Sequence, residues 1–140
     1  MDIVHILHGI GTIIGFGGAI YAAGLMLRLN TDEQRLCRGR LARRIAPITW
    51  LGFAVLIITG VLLTVQYSSE HVLLLRVKHI CVVILLGDAL VIHFRLFPRY
   101  FRQIGTPDFK KIYTTMCRVG ALSVTCWIIV LVLSIWAMLL

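Results

Sequence analysis

The sequence is poor in charged residues, and in acidic residues above all. Only 14% of its 140 residues are charged, and six Asp and Glu stand against 14 Lys and Arg, a net charge of +8. Soluble domains carry about a quarter charged residues, so this composition excludes a soluble enzyme and a disordered chain. The four cysteines show no paired spacing, which argues against a secreted disulfide scaffold. The chain is instead 59% hydrophobic, and we predict an integral membrane protein.

Four stretches of the sequence are long and apolar enough to cross a bilayer, which takes about 20 residues of helix. Histidine is the only ionisable residue type inside the first stretch, and the second and fourth contain no charge. We therefore predict an all-α membrane protein in which residues 1–140 form one domain, a four-helix bundle. The predicted spans cover about residues 3–27, 45–65, 72–97 and 119–140, and the third ends before Pro98.

The basic residues are distributed unevenly between the two ends of the predicted bundle. Twelve of the 14 lie in the connections between spans one and two and between spans three and four. Basic connections stay on the cytoplasmic side of a membrane, so we expect an antiparallel bundle with both termini on the outer side. Topology and anionic lipid headgroups explain the positive charge, and no nucleic-acid partner is expected. We expect a multi-pass protein of a bacterial or archaeal inner membrane, in contact with membrane lipid.

All five histidines lie in or at the ends of the first and third spans. Ionisable side chains inside a bilayer are costly and mark functional sites. At 1.5 Å per residue, His8 lies about one helical turn below His5, and His79 about two turns below His71, so both reach a similar depth near the outer leaflet. Two neutral imidazoles that face each other across a bundle can bind the iron of a b-type haem. We therefore predict His8 and His79 as haem ligands.

Small residues continue the face of the first span on which His8 lies. A stripe of this kind admits a flat macrocycle, and it also favours close packing between membrane helices. We predict Gly11 and Gly15 as positions that contact the cofactor, with helix packing as the alternative. The whole stripe consists of Gly11, Thr12, Gly15, Ala19 and Ala22.

Two cations, Arg76 and Lys78, flank His79 at the outer end of the third span. The simplest interpretation is that their stems snorkel toward the water interface. A functional interpretation is that they bind haem propionates, which point toward the interface and pair with cations. We include both residues in the predicted haem site.

His93 is the histidine nearest the inner end of the third span. It follows His79 by fourteen residues and shares its helical face, a spacing that two-haem cytochromes use. No partner histidine lies at that depth, however, which favours a neutral interfacial histidine or a hydrogen bond to Asp88 or Arg95. We expect Asp88 itself to be protonated and hydrogen-bonded to Thr59 or to a neighbouring helix.

A copper site is the main alternative to haem. His5 and His8 are three residues apart on one helical face, a spacing that can hold a copper ion. Copper(I) paths usually add methionine or cysteine ligands, and the four methionines are scattered along the chain. Haem b therefore remains the predicted cofactor, with His5, His71 and His93 as secondary candidate metal ligands.

Short motifs mark each of the first three spans. They are Leu7-His8 with Gly17-Gly18, then Thr59-Gly60, then Lys78 with Arg95–Pro98. On these motifs the chain resembles the small membrane proteins related to the copper-resistance D domain and to the HemJ-type protoporphyrinogen oxidases. The resemblance implies a bundle of four or five helices in which His8 binds haem b or a metal and Lys78 is functionally important. The adjacent His79 and the lack of a fifth span depart from that pattern and favour a bis-histidine cytochrome.

The sequence thus predicts a membrane b-type cytochrome that transfers electrons, with one haem between the first and third helices near the outer leaflet. Its redox partner would be a quinone or another protein, and the sequence does not distinguish between them. Three alternatives stay open: a copper-handling membrane protein, a HemJ-like protoporphyrinogen oxidase, and a structural subunit of a larger membrane complex. Assembly as a homo-oligomer or within a larger complex also stays open.

Overall fold

In the computed structural model, all regular structure within the described residues, 3–27, 31–67 and 72–139, is helical. Four helical stretches are long and apolar enough to cross a membrane. This confirms the prediction of an all-helical chain with four apolar helices, and it indicates a multi-pass membrane protein. The elements are α1 (Ile3–Leu25), α2 (Asp32–Tyr67), α3 (Val72–Leu90), a π-helical segment (Val91–Leu96), α4 (Phe97–Gln103) and α5 (Phe109–Leu139).

Large apolar side chains cover the outside of these helices. Ile13 is 74% exposed and Leu73 is 78% exposed, and many other aliphatic side chains are exposed beside them. Exposing such a surface to water is unfavourable in free energy, whereas exposing it to lipid chains is not. The outer surface of the helices is therefore suited to contact with membrane lipid.

α2 begins earlier than the apolar span, at Asp32 instead of residue 45. The Thr31 hydroxyl accepts a hydrogen bond from the Gln34 amide at 3.2 Å, so Thr31 caps the helix. Asp32 and Glu33 in the first turn interact favourably with the helix dipole. α5 likewise begins at Phe109 instead of residue 119. Most of the basic residues between the spans therefore lie on helical extensions and not in loops.

The third span continues past Pro98. α3 is followed by the π-helical segment and by α4, which ends at Gln103. At the junction the Phe97 amide donates a hydrogen bond to the Ile92 carbonyl, five residues before it. In a regular α-helix Pro98 would clash with the carbonyl four residues before it, and the wider π turn gives the ring room. The helix therefore extends beyond the end that the sequence predicts.

α1 packs along α2 through three glycines, Gly11, Gly15 and Gly52, which we call the glycine interface. A Cβ built on Gly11 would lie 3.0 Å from the Gly52 carbonyl oxygen, and one built on Gly52 would lie 2.6 Å from the Gly15 amide nitrogen. The two backbones therefore approach more closely than side chains would allow. Gly11 lies beside Leu56 and Gly15 beside Phe53, so the contacts run in opposite order and these two helices are antiparallel to each other.

α3 packs mainly against α5. Between them Ser123 donates a hydrogen bond to Asp88 at 3.0 Å, so the partner of Asp88 is on a neighbouring helix. Two clusters of buried apolar side chains join the helices. One surrounds the fully buried Tyr100, which donates to the Arg35 carbonyl at 2.9 Å, and lies beside the basic connections. The other surrounds Trp127 and lies further along the bundle.

Candidate functional site

α1 directs His8 toward α2, where the imidazole has a hydrogen-bond partner. His8 Nδ1 lies 2.8 Å from Thr59 Oγ1, and the same hydroxyl lies 2.7 Å from the Val55 carbonyl oxygen. A hydroxyl can donate its one hydrogen to that carbonyl while its oxygen accepts from His8. In this arrangement His8 carries its proton on Nδ1, and Nε2 keeps a lone pair.

A carbonyl of its own helix holds His79 in the tautomer that carries the hydrogen on Nδ1. His79 Nδ1 lies 2.6 Å from the Leu75 carbonyl oxygen, and a carbonyl can only accept, so the proton is again on Nδ1. Thr64 Oγ1 lies 3.4 Å from His79 Nε2 but donates its hydrogen to the Gly60 carbonyl at 2.8 Å. Nε2 of His79 therefore also keeps its lone pair, and the side chain as a whole is exposed.

Both histidines contact neighbouring turns on one face of α2. A Cβ built on Gly60 would lie 3.4 Å from His8 Cε1, and Thr64 contacts His79. Gly60 and Thr64 are four residues apart and share a helical face, with a rise of about 6 Å between them. The structure thus brings His8 and His79 to one section of α2, although α1 packs mainly on α2 and α3 mainly on α5.

Gly11 and Gly15 lie in the glycine interface and not beside open space. Each is buried, and a Cβ on Gly15 would lie 3.2 Å from the Trp127 ring and 3.4 Å from the Phe53 amide nitrogen. Of the two interpretations that the sequence left open, their surroundings are those of helix packing. A macrocycle has no room at these two positions, because the backbone of α2 already occupies it.

The two cations beside His79 differ in their surroundings. Lys78 is half-buried and lies close enough to His8 for its charge to act on the imidazole. Arg76 is exposed. Of the two, Lys78 is therefore the cation that the structure associates with His8.

The secondary candidate ligands lie apart from one another. His71 lies outside the described residues. His5 is half-buried and within electrostatic range of His8. His93 lies in the π-helical segment, where its ring meets Trp50 edge-on at a centroid distance of 6.4 Å. Its Nδ1 is buried without a hydrogen-bond partner among the described residues, which costs about 1–3 kcal/mol.

A cavity of about 510 Å³ adjoins His93 in the half of the bundle near the basic connections. All four long helical stretches contribute to its wall, and alanines are the commonest residues there, so we call it the alanine cavity. The aromatic rings of Trp50, Phe53 and Trp127 complete much of the rest. The alanines are Ala19, Ala22, Ala23, Ala42, Ala46, Ala89 and Ala121.

Reasoning from the sequence alone missed both the hydrogen-bonding threonines and this cavity. The sequence suggested Thr59 as a partner of Asp88 and as part of a Thr-Gly motif but not as a partner of His8, and Thr64 was not identified at all. The available signal was the position of Thr64 one turn after Gly60. For the cavity, the signal was the pair Ala42 and Ala46, at the helical spacing of one buried face.

His8 and His79 together offer two imidazole ligands, the number that a haem iron takes from a protein. The porphyrin supplies four nitrogens, so the protein needs to supply only two axial ligands. A metal-bound imidazole typically donates its other ring hydrogen to an oxygen, which both histidines do here. Across the parts of the chain that the structure describes, no three His, Cys, Asp or Glu side chains form a metal-binding group.

Comparison with known proteins finds no relative of this chain. No protein-family model matches the chain, and no curated protein or solved structure matches it either. The resemblance to the HemJ-type proteins therefore rests on the short motifs alone. The arrangement of the side chains is therefore the main evidence for a function.

Proposed function

We propose that the protein is a membrane-embedded b-type cytochrome whose haem iron is bound by Nε2 of His8 and Nε2 of His79. The hydrogen bonds of the two imidazoles carry this proposal. Each ring donates its Nδ1 hydrogen, to Thr59 Oγ1 and to the Leu75 carbonyl, an arrangement that orients a ligand and strengthens its basicity. A bound haem would supply a one-electron Fe(III)/Fe(II) couple for electron transfer.

In this proposal the haem lies toward the outer leaflet of an antiparallel bundle with both termini outside. The distribution of basic residues supports the orientation, because positive connections stay cytoplasmic and both histidines lie near the opposite helix ends. The same reasoning suggests the inner membrane of a bacterium or archaeon. Lys78, half-buried near His8, is the cation best placed for a propionate. The electron partner would be a quinone or another protein.

An absorption spectrum of the protein purified in detergent tests this function. We expect a Soret band that shifts on reduction and, by the pyridine haemochrome assay, one haem per chain. His8→Ala and His79→Ala should each abolish the bands, because a b-type haem is held only by its ligands and its pocket. His93→Ala is the matched control and should keep them.

Several outcomes would contradict the cytochrome. Haem retained in both single variants would remove the ligand assignment. A colourless wild-type protein that contains copper by elemental analysis would favour copper handling, for which His5 and His8 gain no third ligand among the described residues. A protein with neither metal nor haem would favour a structural subunit of a larger complex.

A HemJ-like protoporphyrinogen oxidase is the second candidate, and one observation favours it. The resemblance implies roles for His8 and Lys78, and the structure has Lys78 half-buried and within electrostatic range of His8. If this candidate is right, Lys78→Met lowers the rate at which protoporphyrinogen IX passes six electrons and six protons to an added quinone and becomes the fluorescent protoporphyrin IX. Arg76→Met, which changes an exposed cation two residues away, should leave the rate unchanged. Equal rates in both variants and the wild type would contradict it.

A further inference from the structure

The alanine cavity has the properties of a ligand site that is separate from His8 and His79. Its volume of about 510 Å³ is in the range of small-molecule sites, which are mostly apolar with a few polar groups. No Asp, Glu, Lys or Arg is among the described residues that line it. Its polar side chains are few: Thr49, His93, Cys117, Ser123 and Thr125. The lining therefore matches a neutral molecule.

His93 is the polar side chain of this wall that lacks a partner. Its Nδ1 is enclosed by protein atoms and has no hydrogen bond to any described residue, so a ligand in the cavity would bond to Nε2, or to Nδ1 after the ring rotates. The π-helical segment Val91–Leu96 carries it, and π turns inside α-helices frequently occur at functional sites. The unpaired imidazole nitrogen thus belongs to a residue of the cavity wall, and the wider turn that gives Pro98 room carries that residue.

The cavity is also reached from the outer surface of the bundle. Ala121 and Thr125 are part of its wall and are exposed on α5. Because the exposed surface of this helix is suited to lipid, a ligand would enter from the lipid phase. The ligand is therefore expected to be soluble in the membrane.

We propose that the alanine cavity binds a neutral, membrane-soluble ring compound that carries a carbonyl or hydroxyl oxygen, the chemistry of a quinone or quinol, with His93 as its hydrogen-bond partner. An imidazole can donate from one nitrogen and accept at the other, so it suits both a quinone carbonyl and a quinol hydroxyl. Trp50, Phe53 and Trp127 provide aromatic surfaces against which a flat ring packs favourably.

Other occupants fit these observations less well. A haem carries two anionic propionates, which pair with cations, and the described lining offers no Lys or Arg. A lipid acyl chain would fill apolar space but would leave His93 without a partner. The inference does not depend on haem at His8 and His79, since those residues are not part of the cavity wall.

The test is the binding of a short-chain benzoquinone, ubiquinone-1, to the full chain in detergent. Saturable quenching of tryptophan fluorescence reports binding, because Trp50 and Trp127 line the cavity. Gly120→Leu blocks the cavity: Gly120 is part of its wall, and a Cβ there meets nothing within 4 Å. Gly87→Leu is the matched control, since Gly87 also has open space but does not line the cavity.

We expect Gly120→Leu to weaken binding by at least about tenfold and Gly87→Leu to leave it unchanged. His93→Leu should weaken binding by about three- to tenfold, the loss expected for one neutral hydrogen bond. If Gly120→Leu does not fold, as checked by circular dichroism, Ala89→Leu blocks the cavity from α3. Binding should persist in the double variant His8→Ala/His79→Ala, which separates this proposal from the haem proposal.

Two results would overturn the inference. One is the absence of saturable quenching in the wild type beyond that of free tryptophan in the same micelles. The other is equal affinity in Gly120→Leu and Gly87→Leu, which would place the quinone in the detergent or at another surface. Loss of haem in the double variant with unchanged quinone binding is the expected result and supports a site separate from His8 and His79.

Discussion

The glycine interface and the alanine cavity lie in successive sections of the same two helices, yet one is closed and the other is open. In the glycine interface, Gly52 of α2 lies opposite Gly11 and Gly15 of α1, and the backbones touch. In the alanine cavity, α1 contributes Ala19 and α2 contributes Ala46. A methyl group holds backbones apart but fills little of the space between them. The two backbones therefore touch where neither helix has a side chain at the contact.

The two histidines of these sections differ in the same way. His8 lies next to the closed section and donates to Thr59. His93 lies beside the open section, and its buried Nδ1 has no partner within the described part of the chain. His8 Nδ1 thus has a partner and the buried His93 Nδ1 has none, and an unsatisfied buried nitrogen beside a cavity is expected where the ring turns to bond a ligand.

The largest expected effect comes from placing a side chain in the glycine interface. A Cβ on Gly52 would meet the Gly15 backbone at 2.6 Å and the Ile14 side chain at 2.7 Å, so Gly52→Leu forces α1 and α2 apart. We expect a loss of about 3 kcal/mol in the free energy of unfolding, measured by thermal unfolding in detergent. Gly87→Leu, in open space, is the control. Equal melting temperatures of the two variants would show that the interface is not closely packed.

Removing the partner of His8 should weaken haem binding more than it weakens folding. Thr59→Val keeps the shape of the side chain but removes the hydroxyl that lies 2.8 Å from His8 Nδ1. We expect haem affinity to fall about 10–100-fold, as for other partners of metal ligands, measured by haem titration of the purified protein. Thr59→Ser restores the hydroxyl and should restore affinity. If Thr59→Val and Thr59→Ser bind haem equally, the hydrogen bond does not support a ligand.

Replacing His93 should raise the free energy of unfolding, whereas replacing His8 should lower it. His93→Leu removes a buried nitrogen that lacks a partner, so without a ligand we expect the free energy of unfolding to rise by about 1 kcal/mol. His8→Leu removes a hydrogen-bonded ring and leaves Thr59 without one contact, so it should lower stability. Thermal unfolding of both variants checks this. A similar destabilisation in both would mean that His93 is satisfied.

The smallest expected effect comes from adding a methyl group at a glycine, once beside the alanine cavity and once in the glycine interface. Gly120→Ala adds a methyl group to open space and improves helix propensity, so we expect a gain of about 0.5 kcal/mol. Gly11→Ala adds the same group 3.0 Å from the α2 backbone and should lower stability. The two melting temperatures, measured against the wild type, should shift in opposite directions. Shifts of the same sign would contradict the difference in packing.

The sequence predicts the presence of the four long helices better than it predicts the residues at which they begin and end. Four apolar stretches are visible because a bilayer needs about 20 apolar residues per helix, and those helices are present. The start of α2 was missed because it depends on the cap formed by Thr31 and Gln34, a capping-box pattern that hydropathy does not contain. The continuation past Pro98 was missed because it depends on a π turn, and no short sequence pattern predicts such a turn.

The candidate site was predictable in its residues but not in their surroundings. His8 and His79 stand out because an ionisable group is costly inside a bilayer. Their protonation depends on Thr59 and on the Leu75 carbonyl, and the first of these comes from another helix. Gly11 was assigned to cofactor contact because a stripe of small residues looks the same whether a helix or a ligand faces it.

Composition and the spacing of apolar residues were enough to determine a four-span helical membrane chain with histidines on two of its helices, because each of those properties is local to one segment. Which small residues meet a backbone and which border a void was decided only in the tertiary structure, since that depends on the side chain that the opposite helix presents at the same height. The ring nitrogens of His8 and His93 differ for the same reason: a hydrogen bond needs two partners, and only folding brings the second one within reach.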